Sequence, residues 1–292
     1  MILVTGAGGF VGAQLLARLG GEAVASKADV RDGAAVTAEV RAVAPTAVVH
    51  LAALSSVADS WADPSETWRV NVLGTLNVVE ASPPGTRVIL ASTGEVYGRA
   101  PELPATEETP VDPISPYAAS KAAAELACAP ARARGELELV VTRSFNTEGP
   151  GRDDRFAVGS WARQIAELEL AGGGRLLVGD LTAVRDLVDV RDAVEAYAKL
   201  LGHEADPSVY NIASGRPTAM QEVLDVLLGL ARCEISVERD PARMRPADVP
   251  ELWGDAAKLR AATGWEPAIP LEQTLAETLE YARATVAGVA RR

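Results

Sequence analysis

The segment VTGAGGFVGAQLLARL, residues 4–19, constrains this chain more than any other stretch, because it links an apolar β-prone run to an amphipathic helix through three regularly spaced glycines. Gly6, Gly9 and Gly12 recur every third residue between Ile2–Thr5 and the helical stretch Val11–Leu19. In that setting Gly6 permits a tight turn, Gly9 lets backbone N–H groups approach a pyrophosphate, and Gly12 lets the helix pack close beneath it. The positive end of the helix adds to phosphate binding.

Downstream, apolar runs at Ala47–Leu51, Val88–Ala91 and Leu137–Arg143 alternate with helical stretches at Ala34–Val43, Pro64–Ala81 and Tyr117–Cys128. Strands that are apolar on both faces and alternate with helices predict an α/β fold of Rossmann type, a doubly wound parallel sheet covered on both sides. After Phe145 the pattern changes to a Gly/Asp/Arg loop at 149–155, a helix over Phe156–Leu170, short strands at Leu176–Val178 and Val209–Ile212, and helices at Val188–Leu201, Ala219–Leu230 and Leu271–Ala284. This divides the chain into a dinucleotide-binding domain, residues 1–147 with a returning segment near 186–205, and a smaller mixed α/β substrate lobe, residues 148–292.

With 292 residues and 48% apolar content, the chain can bury a substantial core. The net charge of −12 argues against nucleic acid or acidic lipid as a partner, so any anionic ligand must be gripped by individually placed arginines. No apolar run reaches the roughly 20 residues of a membrane span, and no basic stretch precedes the first strand, which predicts a cytoplasmic protein. Cys128 and Cys233, with His50 and His203, are too few and too scattered for a disulfide framework or a metal site.

From Gly12 to Asp29 there is room for one helix and one strand, Glu22–Ser26, which ends in Ser26 and Lys27. An acidic residue there would accept hydrogen bonds from ribose hydroxyls and repel a 2′-phosphate, whereas a hydroxyl and an ammonium can donate to that phosphate. The expected cofactor is therefore NADP, as NADPH, with NAD possible.

The catalytic chemistry falls in ASTGEVYG, residues 91–98, and SPYAASKAAAE, residues 115–125. Tyr117 and Lys121 are four apart, hence on one helix face, and Thr93 ends a predicted strand at the carboxyl edge of the sheet. A tyrosine has an ordinary pKa of about 10, and proton transfer near neutrality calls for a value of about 7, a difference of about 4 kcal/mol. One ammonium at about 4 Å supplies roughly that much. The expectation is a lowered Tyr117 pKa, with Thr93 donating a hydrogen bond to the reacting oxygen.

These motifs, together with HLAALSSV, NVLGTLNVVEA, RSFNTEGPG, VRDLVDVRD, YNIASG and TGWEP, resemble the extended short-chain dehydrogenases/reductases of the nucleotide-sugar type along nearly the whole chain. FAVGSWARQIAELE, VGDLTAVRDLVDVRD and RMRPADVPELWGD are most similar to reductases of GDP-4-keto-6-deoxy-mannose, which form GDP-rhamnose. The resemblance implies a nucleotide-diphosphate sugar as substrate and a homodimer as the assembly. The cofactor site is expected to comprise Gly6, Gly9, Phe10, Val11, Gly12, Ser26, Lys27, Asp29, Val30, Leu51, Ala52, Ala53, Tyr117, Lys121 and Asn71, the last bracing the active-site helix or a water. Substrate contacts are expected from Ser55, Thr93, Glu95, Asn146, Arg185 and Arg245, with Ser56 beside them, while Arg191 is expected to pair with neighbouring acids.

Two departures bear on function. Where GDP-sugar relatives usually have a histidine after the FN pair, this chain has Thr147 and then Glu148, which keeps dTDP-linked sugars open beside GDP-linked ones. Dehydratases of this type carry an acid and a base immediately after the catalytic threonine, and here Gly94 precedes Glu95, so dehydration is a minor alternative. The triad alone also fits a 4-epimerase that retains NAD. A catalytically silent nucleotide sensor would be expected to lose one of Thr93, Tyr117 or Lys121, and all three are present.

Overall fold

Six parallel strands form the main sheet of the computed structural model, which describes residues 1–202, 205–244 and 249–290. They are β1 (Ile2–Thr5), β2 (Ala23–Ala25), β3 (Ala47–His50), β4 (Arg87–Thr93), β5 (Glu138–Ser144) and the later strand Val209–Ile212. The spatial order is β2, β1, β3, β4, β5 and Val209–Ile212. The chain winds outward from β1 to β2, then returns across β1 to β3, so the switch point lies between β1 and β3, where open α/β sheets bind ligands.

All four residues of β3 are buried, as expected for a strand covered on both faces. One face packs against helix α1 (Phe10–Leu19), the helix Val190–Leu200 and the indole of Trp265. The other face packs against helix α2 (Gly33–Val43) and the helix Gly74–Ala81. A third core, around Trp161, Ile165, Leu224, Leu275 and Leu279, belongs to the second lobe.

Two features differ from the sequence pattern. Val209–Ile212, expected in the second lobe, joins the main sheet beside β5, with Val141 opposite Val209. The returning part of the chain therefore reaches beyond residue 205. The expected helix Pro64–Ala81 is also not one helix: a π-turn at Arg69–Leu73 separates Pro64–Trp68 from Gly74–Ala81. Such turns often mark functional segments, and this one carries Asn71.

In the second lobe the strand Val184–Asp189 pairs with Asn146–Glu148, Pro217–Ala219 and Glu251–Leu252. Its buried Asp186 accepts hydrogen bonds from Ser214 N, Ser214 Oγ and Gly215 N at 2.8, 2.7 and 2.9 Å, and from Gly254 N at 3.3 Å. This carboxylate stitches the turn after the sixth strand to the second lobe.

Candidate active site

Backbone meets backbone in the glycine turn. A β-carbon on Gly6, whose φ is +67°, would lie 2.6 Å from Ala52 N, and one on Gly12 would lie 2.3 Å from Gly6 O. Gly8 faces open space, and α1 starts at Gly9 with no side chain capping it. The first N–H groups of an uncapped helix therefore face the switch-point crevice. Phe10, Val11 and Leu51 flank the core on the α1 side, while Ala52 and the buried Val30 flank the other.

The expected ribose site is built differently from its sequence pattern. Ser26 Oγ donates to Glu39 Oε2 at 2.5 Å, Lys27 N donates to Glu39 Oε1 at 2.7 Å, and Ala28 N lies 3.4 Å from Oε2. The strand end thus carries a carboxylate after all, supplied by α2. Lys27 and Asp29 are exposed, and Asp29 is gripped by Arg31, whose hydrogen bonds hold its pKa down to about 2.

The three residues expected to carry the chemistry converge from two elements. Thr93 ends β4, and Tyr117 and Lys121 lie on the helix Pro116–Ala127. This helix begins at Ser115, which caps Ala118 N at 3.1 Å, and has Pro116 in its first turn, where a missing N–H costs nothing. Ser60 Oγ accepts from Tyr117 N at 3.1 Å and donates to Val57 O at 2.7 Å, so a second hydroxyl locks the start of the helix.

Thr93, Tyr117 and Lys121 are all buried. Burial pushes the Tyr117 phenol well above its ordinary pKa, Glu95 and Tyr197 add to that, and a Thr93 hydrogen bond and the Arg152 charge pull the other way. The expected lowering by the Lys121 ammonium is not met. Lys121 is itself pushed down to about 8 by burial, with Glu125 and Cys128 opposing. Burial therefore keeps the Tyr117 phenol protonated and leaves the Lys121 ammonium to lose its proton in the mildly alkaline range.

Asn71 acts as a brace. Its amide donates to Leu54 O at 3.0 Å and Ser120 Oγ at 2.9 Å, and its oxygen accepts from Leu54 N at 2.8 Å. Ser120 Oγ in turn donates to Tyr117 O at 2.7 Å. Through these bonds Asn71 holds the loop after β3 to the helix Pro116–Ala127. The same network includes buried His50: Ala52 N donates to Thr5 Oγ1 at 3.3 Å, and that hydroxyl is hydrogen-bonded to His50 Nδ1 at 2.7 Å. On the far side His50 Nε2 donates to Thr75 Oγ1 at 3.0 Å, and Thr75 donates to Asn71 O at 2.6 Å. Burial, with the nearby Lys121 charge, lowers the His50 pKa to about 3, which keeps the imidazole neutral.

Of the residues expected to contact substrate, Ser55 is exposed, whereas its neighbour Ser56 caps the short helix Val57–Ala62 through Asp59 N at 3.1 Å. Glu95 follows Gly94 in a tight turn whose start is capped by Thr93 Oγ1. Asn146 opens the strand beside Leu187, and buried Arg185 lies two residues earlier on that neighbouring strand, donating to Val184 O at 2.9 Å. Arg191 pairs with Asp189 and Glu277 at 2.8 and 2.7 Å. Arg245 lies outside the described residues.

Sequence reasoning missed Arg152 and the part Glu148 plays. The Arg152 guanidinium carbon lies 3.5 Å from the Phe156 ring centroid and 5.3 Å from that of Phe10 at the head of α1. Its Nε is 3.4 Å from the buried Glu148 carboxylate, and neither of those two atoms makes a hydrogen bond. The i, i+4 spacing of the two residues was the available signal, but nothing in the sequence shows that the loop folds back against α1. Among the described residues no cluster of side chains could hold a metal, and no helix is long and apolar enough to cross a membrane.

Residues 18–278 match the family model of GDP-mannose 4,6-dehydratase. The chain is similar to the GDP-6-deoxy-D-mannose reductase of Pseudomonas aeruginosa, 40% identical over 238 residues that cover 79% of this chain and 78% of the relative. Among solved structures, RMD from Pseudomonas aeruginosa complexed with NADPH superposes with a TM-score of 0.88 at 34% identity, covering 97% of this chain and 99% of that one. A UDP-glucose 4-epimerase from Thermus thermophilus complexed with NAD superposes with a TM-score of 0.83 at 30% identity, covering 97% and 98%.

Proposed function

The chain belongs to the GDP-mannose 4,6-dehydratase family, within the extended short-chain dehydrogenases/reductases that act on nucleotide sugars, and from that premise we propose that it is an NADPH-dependent reductase. It reduces the 4-keto group of a nucleotide-linked 4-keto-6-deoxyhexose, with a GDP-linked sugar as the first substrate to try and dTDP-linked sugars second. The observation that carries reduction over dehydration is the glycine after Thr93. A β-carbon on Gly94 would lie 2.9 Å from two ring carbons of Phe145, so the place where a dehydratase keeps its proton donor is filled by an aromatic ring.

The crevice fits a dinucleotide by its own geometry: Gly6 and Gly12 admit no side chain, and the N–H groups of an uncapped helix aim into it. Reduced nicotinamide supplies the hydride. The chain's own residues handle the proton. Tyr117, kept protonated by burial, donates to the carbonyl oxygen as it gains charge, and Thr93 adds a second hydrogen bond there. The Lys121 ammonium stabilises the phenolate left behind. Arg185 and Arg245 are assigned to the sugar-nucleotide diphosphate, since a chain of net charge −12 needs placed guanidiniums to hold a dianion.

Exposed Trp61, Trp68 and Leu73 on segment 57–81 and Leu126 on the catalytic helix support a homodimer through this face. The unpaired Cys128 and Cys233 support a cytoplasmic location. Purified protein given NADPH and a panel of GDP- and dTDP-linked 4-keto-6-deoxyhexoses tests the assignment. NADPH is expected to disappear in step with reduced sugar for the GDP-linked member, and turnover of none of them contradicts the reading.

A further inference from the structure

We propose that Glu39 sets how strongly this chain prefers NADPH over NADH, an inference that rests on the NADPH-dependent reading above. The end of β2 is fixed beside the glycine turn: Ala25 lies opposite Val4, and Ser26 N donates to Val4 O at 2.8 Å. In a doubly wound fold this strand end is where the adenosine ribose is held. Three donors converge there, the Ser26 hydroxyl and the backbone N–H groups of Lys27 and Ala28, and the exposed Lys27 side chain lies beside them.

Such a group of donors is an anion cradle, and Glu39 already sits in it. α2 starts at Asp32, whose carboxylate caps Ala34 N and Ala35 N at 3.1 and 3.0 Å, and its second turn aims Glu39 back at the strand end. Burial pushes the Glu39 pKa up, but Ser26, Lys27 and Ala28 together hold it below the ordinary carboxylate range, so it is ionised.

A carboxylate and a 2′-phosphate need the same donors and repel each other. With Glu39 seated, the cradle is satisfied and negative, which suits ribose hydroxyls. With Glu39 swung out, the same donors and the Lys27 ammonium face the phosphate. Cofactor choice is thus a competition between an internal carboxylate and the 2′-phosphate, and the wild-type chain prefers NADPH only modestly. Glu39 is thirteen residues from Ser26 in sequence, so the strand end shows no acid although one stands there in space.

Calorimetric titration of the full chain with NADPH and with NADH, for wild type, Glu39→Gln and Glu39→Ala, tests this, with the unfolding midpoint of the same samples reporting on the fold. Both variants are expected to bind NADPH about fivefold more tightly, the size of one like-charge contact in partly solvated surroundings, with no tightening toward NADH. Equal weakening toward both cofactors would show that Glu39 only holds the turn, and unchanged constants would show that it does not meet the ribose; either overturns the inference. Binding of neither cofactor by the wild-type chain would overturn the NADPH-dependent reading and this inference with it.

Discussion

Gly94 and Phe145 are packed so closely that residue 94 has no room for a side chain, and Phe145 is pinned from the other side by Gly254, where a β-carbon would lie 2.3 Å from the ring. Phe145 is also buried and stacks on Tyr97, with ring centroids 6.3 Å apart. The ring therefore cannot retreat to admit an acid.

Gly94→Asp is accordingly expected to gain no dehydratase activity. It should lose about 1–3 kcal/mol of stability, the usual cost of overpacking a well-filled core. Denaturant unfolding and an assay for keto-sugar formation from GDP-mannose check both parts. A stable, dehydrating variant would mean that Phe145 moves readily and that the reductase assignment rests on the wrong residue.

Arg152 and Glu148 form a buried ion pair at the seam between α1 and the second lobe. Arg152→Ala leaves a buried carboxylate without its cation and should cost about 3 kcal/mol near neutral pH. Burial already raises the Glu148 pKa, with Arg152 opposing, and removing the cation raises it further. A carboxyl with a raised folded pKa stabilises the fold below its unfolded value of about 4.3 and loses that contribution as pH rises through the folded value. The Arg152→Ala deficit should therefore shrink on acidification, and urea titrations at several pH values would show it.

Burial keeps Tyr117 protonated while Lys121 titrates at about 8. Tyr117→Phe should cut turnover by about 10²–10⁴-fold and leave NADPH binding nearly unchanged, because the proposed mechanism uses Tyr117 only as the proton donor. In the wild type kcat/KM should fall as pH rises through about 8, when the Lys121 ammonium is lost. Lys121→Arg keeps a charge that does not titrate and should move that limb to higher pH.

His50 is neutral in the folded chain, with a pKa of about 3 against about 6.5 unfolded. A depressed folded pKa means that the stabilising contribution is present above pH 6.5 and is lost as pH falls toward 3. Between pH 6.5 and pH 5 the loss should be roughly 2 kcal/mol. His50→Gln removes the titration, and comparison of its unfolding free energy with wild type across that range isolates the imidazole's effect from that of the titrating carboxylates.

Much of the fold was legible in the sequence because its signals are local. The glycine spacing, the doubly apolar strands and the Tyr117–Lys121 spacing each follow from residues close in the chain. Val209–Ile212 was assigned to the wrong lobe because a four-residue strand carries no mark of its partner. Glu39, Ser60 and Arg152 escaped for a related reason: each acts on a residue of another element, Ser26, Tyr117 or Phe10, and only the folded chain shows which. The lowered Tyr117 pKa failed on energetics. The Coulomb attraction of one ammonium was weighed without the desolvation that burial of both groups imposes.

Reduction with deuterium-labelled NADPH is the most direct test of the central claim. On incubation with GDP-4-keto-6-deoxymannose, the product is expected to carry one deuterium at C4, with one NADPH oxidised for each sugar reduced. No NADPH oxidation and no deuterated product from the keto sugar, together with interconversion of the two C4-hydroxyl epimers of GDP-6-deoxyhexose without added cofactor, would contradict the account and identify an epimerase that retains its cofactor.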